Sequence, residues 1–306
     1  MDMRRLEMLR ELADRGSVGA VADEMQITPS AVSQQLKLLE REAGAPLIEP
    51  AGRGVQLTSA GRELAATATD LAVAMARAEA RWHEYMGRPA GDVSVAMFPT
   101  AAEMLFAGLL KRLAAEPEII VSATDRDPTK NYDVLEMVAN HDIVVADSPT
   151  VTEQWHARGL NLVPLMREPL DVVLPKNHRL ADRRTVSPKD VIGETWIGAP
   201  QGFPFDRVLQ DLAAFTGEPV QIAQRFDDNR VVEACVAAGL GIAILPRFTT
   251  RTHANELVTK PLTGIGATRE ITAVIRPDRM ERLSVRYVVD ALTEEASDVA
   301  AAHQGV

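Results

Sequence analysis

At 306 residues the chain exceeds a single small core, and ordinary domain sizes divide it into two or three folding units. Its composition, 46% hydrophobic and 25% charged, is that of a soluble globular protein; no apolar run approaches the roughly 20 residues of a membrane span and no basic-then-apolar leader opens it, so a cytoplasmic location off the membrane is expected. The net charge of -10 excludes a protein that coats nucleic acid through a generally basic surface.

The first informative segment is residues 17 to 43. Ser17 can cap a helix in which Val18, Val21, Ala22 and Met25 fall on one face, and Gln26-Ile27 supplies a short turn. Thr28 caps a second helix with Pro29 at its first position, and Gly44 follows Ala43 where a left-handed residue ends a helix. On a wheel of 100° per residue, Val32, Leu36, Leu39 and Ala43 lie within about 60° of one another. Ser30, Ser33, Gln34, Lys37 and Arg41 take the opposite side. An ordinary amphipathic surface helix would also divide this way, but its outward face would be expected to include carboxylates. Short hydroxyl and amide groups with cations beyond them suit a helix in the major groove.

A hairpin follows: Leu47-Ile48-Glu49, a turn through Ala51-Gly52-Arg53-Gly54, then Val55-Gln56-Leu57. Arg53 stands between two glycines, where it can reach a minor groove or a phosphate. The predicted DNA contacts are Thr28, Pro29, Ser30, Ser33, Gln34, Lys37, Arg41 and Arg53. Residues 1 to 62 carry eight Lys/Arg against nine Asp/Glu, so any contact depends on locally sorted charge.

Gly16-Ser17, Thr28-Pro29-Ser30-Ala31-Val32-Ser33, Leu36-Lys37-Leu38-Leu39-Glu40, Gly44, Leu47 and Leu57-Thr58-Ser59-Ala60-Gly61 together resemble the N-terminal signature of the LysR-type transcriptional regulators. The match is dense over about sixty residues, and the order of later segments agrees with the family along the whole chain. Where the family usually has Phe and then Arg after the wing leucine, this chain has Ile48 and Pro50, which removes one arginine phosphate contact. The resemblance implies an N-terminal all-α winged helix-turn-helix with a long linker helix, followed by a C-terminal α/β two-lobed effector domain like the type 2 periplasmic binding proteins. The expected divisions are 1–57, 58–88 and 92–306, with lobe I at about 92–163 and 267–306 and lobe II at about 164–266. Implied partners are double-stranded promoter DNA, a small-molecule effector of organic-acid type, RNA polymerase as a candidate contact, and further copies of the chain as a homodimer or homotetramer.

From Thr58 to Met86 good helix formers dominate, and at 1.5 Å per residue the stretch spans about 40 Å. Leu71, Met75, Ala78, Trp82 and Tyr85 step by 4, 3, 4 and 3, the spacing of a coiled-coil seam. The partner of that seam is either the chain's own α/β region or, preferred here, a second copy. Gly87-Arg88-Pro89-Ala90-Gly91 ends the helix and marks a linker.

Beyond it, Val93 to Phe98, Ile119 to Thr124, Ile143 to Ala146 and Leu170 to Leu174 read as strands alternating with helices, which indicates substantially parallel sheets. A strand-like stretch ends near Val163-Pro164. Ile271 to Ile275 and a helix from Met280 return to complete the first lobe, and the two crossings would form a hinge. Ligands of open α/β sheets bind beyond the carboxyl ends of strands, which selects Phe98, Pro99, Thr100 and Ala101. In family members a hydroxyl residue at this place often binds an effector carboxylate, and Thr100 matches; it could equally be the cap of a helix from Ala101. In the second lobe Gln201, Gly202, Phe203 and Asp227 lie on loops placed like the family's cleft-lining ones, and aromatic rings with few cations suggest a ligand with an apolar body.

Cys235, the sole cysteine, sits in a helical context and reads as a small buried hydrophobe. The six histidines are scattered, so no metal is expected. No nucleophile elbow, phosphate loop or dinucleotide fingerprint occurs, so neither an enzyme nor a cofactor is expected. The open alternative is a ligand-independent DNA-binding repressor whose α/β domain only oligomerises.

Overall fold

The computed structural model describes residues 1–52, 54–86, 89–127, 134–147, 152–251 and 256–303. The chain begins with three helices, α1 (Met3–Arg15), α2 (Val18–Glu24) and α3 (Pro29–Ala43), then a hairpin of β1 (Ile48–Ala51) and β2 (Gly54–Leu57). The caps fall where the sequence put them. Ser17 accepts from the Ala20 amide and Thr28 from the Ala31 amide, and Gly44 ends α3 at φ 69°. Val32, Leu36 and Leu39 are buried with Leu9, Val21 and Leu47 in one small core.

The long helix α4 (Ser59–Met86) seals that core with Ala65 and Ala68. Gly61 lets it approach: a Cβ there would lie 2.0 Å from the Leu47 carbonyl oxygen. Further along, Ala76 and Ala80 are buried on the same helix, whereas Leu71, Met75, Ala78, Trp82 and Tyr85 face outward. The helix therefore has two stripes, a small-residue stripe packed within the chain and an apolar stripe left open. Gly87, Arg88 and Arg53 lie outside the described residues.

The remainder is α/β: β3 (Gly91–Met97), α5 (Pro99–Arg112), β4 (Ile119–Asp125), α6 (Val134–Asn140), β5 (Ile143–Asp147), α7 (Thr152–Ala157), β6 (Asn161–Pro175), α8 (Pro188–Val191), β7 (Thr195–Gly198), α9 (Pro204–Thr216), β8 (Gln221–Arg225), α10 (Asn229–Ala237), β9 (Ala243–Pro246), β10 (Leu257–Pro261), β11 (Thr268–Ile275), α11 (Pro277–Met280) and α12 (Leu283–Ala302). The sheets are mixed instead of substantially parallel. β3 pairs in parallel with β4 and β5, and β7 with β8, but β11 runs antiparallel to β5 and β6, and β9 and β10 antiparallel to β6.

The strand expected to end near Val163-Pro164 does not end there. β6 runs on to Pro175, pairing with β11 as far as Pro169 and with β9 and β10 from Leu170. Pro164 is tolerated because the ladder is already irregular beside it: the register shifts between Ile271 and Thr272, which leaves Leu165 unopposed. The expected helix from Met280 is two, α11 and α12, separated at Glu281-Arg282.

Two larger cores result. Val93, Val95, Leu105, Ile143, Ile271, Val285, Val288 and Leu292 belong to one; Val172, Leu174, Trp196, Leu209, Val236 and Ile244 belong to the other, against which Cys235 packs. β6 contributes to both.

The N-terminal bundle is docked on the first of these cores through charge. Arg10 donates to Asp278 at 2.9 Å, Arg276 to Glu11 at 3.1 Å, and Arg15 to the Ala139 carbonyl at 2.8 Å. Arg10, Glu11, Arg276 and Asp278 are all buried. Burial pushes the Glu11 carboxyl up, but Arg276, Arg15 and Arg10 together hold it below the usual carboxylate range. Among the described residues no helix is long and apolar enough to cross a membrane.

Candidate functional site

Two places gather the predicted residues. On α3, Thr28, Pro29, Ser30, Gln34, Lys37 and Arg41 are exposed and Ser33 is half-buried. Thr28 spends one lone pair on the Ala31 amide and pairs with the Ser30 hydroxyl at 3.0 Å, and Ser33 donates to the Pro29 carbonyl at 2.9 Å. These bonds hold the short hydroxyls at the helix start while leaving acceptor capacity. Glu40, the nearest carboxylate on the helix, is turned inward and accepts from the Leu47 and Ile48 amides, fixing the hairpin against α3. Glu42, exposed beside Arg41, is taken up by Arg5, so both carboxylates of the helix are engaged away from Lys37 and Arg41.

The second place is a cavity of about 350 Å³ between the two α/β cores. Its walls include Phe98, Pro99, Thr100, Phe203 and Asp227 from the sequence-based set. Ala101 is not among them: it is wholly buried in the first core, because it lies on the inner side of α5. Gln201 and Gly202 are exposed in the turn before α9 and stand outside the lining. Thr100 does not cap a helix from Ala101. α5 begins two residues earlier, at Pro99, with Phe98 as its N-cap. The Thr100 hydroxyl, freed of that role, accepts from Arg269 at 2.8 Å.

Residues not singled out from sequence complete the walls: Glu103, Asp127, Asp147, Pro204, Phe205, Asp228, Asn229, Arg230 and Arg269. Arg269 donates to Glu168, which is fully buried, from Nε at 2.8 Å and Nη2 at 2.5 Å, and stands over the rings of Phe98 and Phe205 at 4.8 and 5.5 Å. Arg230 donates to Glu233, Glu103 and the Thr249 carbonyl. Asp228 caps α10 by accepting from the Arg230 amide at 2.8 Å. At Glu103, burial raises the carboxyl pKa, but Arg251 and Arg230 outweigh it and the group stays below the usual range.

Asp147 differs from the others. Both its oxygens are buried and neither has a hydrogen-bond partner. Burial raises its pKa to about 6; Arg269 and Arg207 pull it down incompletely, and Asp127 and Glu168 add to the rise. The rule that selected Phe98 to Ala101 would have found Asp147, since it ends β5 as Phe98 follows β3. Arg269 and Glu168 lie in the polar stretches Thr268-Arg269-Glu270 and Arg167-Glu168 of β11 and β6, which set neither apart locally.

Comparison with known proteins follows the same division. Residues 3–62 match the profile described as bacterial regulatory helix-turn-helix protein, lysR family, and residues 86–297 match the LysR substrate binding domain. The transcriptional dual regulator GltC of Bacillus subtilis is 26% identical over 283 residues, covering 92% of each chain. A full-length OxyR variant from Pseudomonas aeruginosa superposes with a TM-score of 0.63 at 16% identity, over 96% of this chain and 98% of that one. CbnR complexed with its target DNA superposes with a TM-score of 0.53 at 20% identity, over 97% and 100%.

Proposed function

Because the chain belongs to the LysR family of bacterial transcriptional regulators, we propose that α3 is its DNA-reading helix and that the cavity between the two α/β cores is where a small molecule sets its activity. The protein is a DNA-binding transcriptional regulator with an effector-binding domain. The observation that carries the assignment of the reader is the outward face of α3, on which Ser30, Gln34, Lys37 and Arg41 are exposed while the helix's apolar stripe is buried. Short polar side chains near the N-terminus read base edges; cations farther along meet phosphates.

The seat of the effector is supported by position and shape. The cavity takes its walls from helix starts and strand ends of both cores, as ligand sites of α/β folds do. We read residues 1–57 as the reader, 58–88 as the linker and 92–306 as the sensor, with the change of pairing partner within β6 at Pro169 as the place where lobe I gives way to lobe II.

The open stripe of α4 supports a homodimer. Met75, Trp82 and Tyr85 are 58%, 60% and 80% exposed, and large apolar side chains at coiled-coil spacing are seldom left to water. A pair joined there would bring two α3 helices to a two-fold-related site. The tetramer and a contact with RNA polymerase carry over from the family alone, as does work in the cytoplasm beside the chromosome.

The test pairs two readouts on the full-length protein: mobility shift on the DNA upstream of its own gene, and thermal shift against a metabolite panel. A metabolite that raises Tm and alters the mobility shift supports the reading. DNA binding that no cavity-bound compound alters would instead favour a ligand-independent repressor.

A further inference from the structure

The charge on the cavity walls is the reverse of what an organic acid needs. Five carboxylates, Glu103, Asp127, Asp147, Asp227 and Asp228, stand against two guanidiniums, Arg230 and Arg269. Both are already engaged in part. Arg269 is held by Glu168 and Thr100, and Arg230 by Glu233 and Glu103. A carboxylate entering here would compete with Glu168 for Arg269 and with Glu233 and Glu103 for Arg230, and would meet more carboxylates than guanidiniums.

Asp147 presents the opposite opportunity. It is the last residue of β5, it lines the cavity, and both of its oxygens are buried without a donor. Burying an acceptor unpaired costs free energy, which a ligand that brings the donor recovers. We propose that the cavity is built for a small molecule bearing a protonated amine, whose N–H groups bond Asp147 while Phe203 and Phe205 flank its apolar body. This deepens the reading of the cavity as the effector site and rests on it.

An ammonium group carries up to three donors on one charged centre, so it can satisfy an unpartnered carboxylate and gain from the surrounding negative wall at once. A neutral polyol would supply donors without the second gain. A metal ion is disfavoured, because among the described residues no three His, Cys, Asp or Glu side chains are grouped so as to hold one.

Calorimetry and thermal shift on the full-length protein, using matched pairs, test this. The common α-amino acids are compared with their 2-hydroxy and 2-oxo counterparts, and putrescine and spermidine with dicarboxylic acids of similar length. Amine-bearing members are expected to bind and raise Tm, and the amino acids and polyamines separate a zwitterionic ligand from a polycationic one. Asp147→Asn should weaken that binding roughly 10-fold or more, with Asp147→Glu keeping part of it. If the amine-free acids bind and the amines do not, the inference is overturned; loss of the acid's binding in Phe203→Ala would then leave the cavity standing as the effector site. Amine binding that is unchanged in Asp147→Asn also overturns it, and binding unchanged in both Asp147→Asn and Phe203→Ala overturns the cavity assignment itself. Amines that cause no shift at millimolar concentration count equally against the inference.

Discussion

Arg276 donates from Nη1 to the Oε1 of Glu11 at 3.1 Å, so that two buried side chains 265 positions apart join the DNA-binding bundle to the effector domain. Glu11 also accepts from Arg15 at 2.7 Å, and Asp278 receives Arg10 at 2.9 Å, and the resulting network of paired charges extends to Asp14 and Glu24. Removing one charge leaves the others buried and unbalanced. Glu11→Gln should therefore destabilise the docked state by about 3 kcal/mol, the lower end of the cost of breaking a buried pair. Urea denaturation followed at two wavelengths checks it: a transition as steep and as late as the wild type's would contradict the role given to this contact.

Asp147 should trade stability for binding. Its carboxyl pKa is raised from 3.8 to about 6 by burial, so its ionised form is disfavoured in the folded state. That penalty is absent below pH 3.8 and fully present above about 6. Asp147→Asn is accordingly expected to be more stable than the wild type at pH 7.5, by an amount on the order of 2 kcal/mol. The advantage should shrink steadily as the pH is lowered through that window. Melting curves across pH that keep a constant gap between the two proteins would refute it.

The same group gives amine binding a pH profile. Asp147 is faced by Arg269 from β11, Arg207 from α9, Glu168 from β6 and Asp127 beyond β4, and it must be ionised to receive an ammonium. Affinity should rise with pH through about 6 and level off above, with proton release near the midpoint. Titration calorimetry in two buffers of different ionisation heat reads the released proton directly.

On the DNA side, Lys37→Ala or Arg41→Ala should weaken binding to all sequences alike and lower the slope of log affinity against log salt by about 1. Gln34→Ala should instead relax preference at one base position and leave the slope alone. Arg53→Ala, between Gly52 and Gly54 in the sequence, should behave like the two cations. Filter binding over a salt series separates the two classes of contact.

The open stripe of α4 predicts that Met75→Glu with Trp82→Glu gives a monomer of normal fold, since both side chains are more than half exposed in the single chain and neither belongs to a buried core. Sedimentation at micromolar concentration should show the halved mass, and operator affinity should fall with it. A variant that stays dimeric would move the interface elsewhere.

The helical caps, the periodicity of α3 and the glycine at 44 could be read from sequence because each is a local rule, satisfied within four or five residues of chain. The cavity could be read only in part. Phe98 to Thr100 follow from the strand-end rule, but Arg269 reaches the wall from a strand 169 residues beyond Thr100, and nothing local announces that meeting. Ala101, Gln201 and Gly202 were misplaced by one step of helix phase or turn geometry, the scale at which propensity gives way to packing. β6 illustrates the same limit: Pro164 looks like a strand end until the bulge beside it is seen.

β11 has a consequence for how the two sites communicate. Arg269, its second residue, is in the cavity wall; Arg276, the first residue after it, is in the junction with α1. The distance between them along the strand is about 23 Å at 3.3 Å per residue. β5 and β6 bond its two edges, and Ile271, Ala273, Val274 and Ile275 are wholly buried. Any shift of Arg269 in the cavity wall would be carried along β11 to Arg276 and its pair with Glu11, so the reader is one strand's length from the cavity.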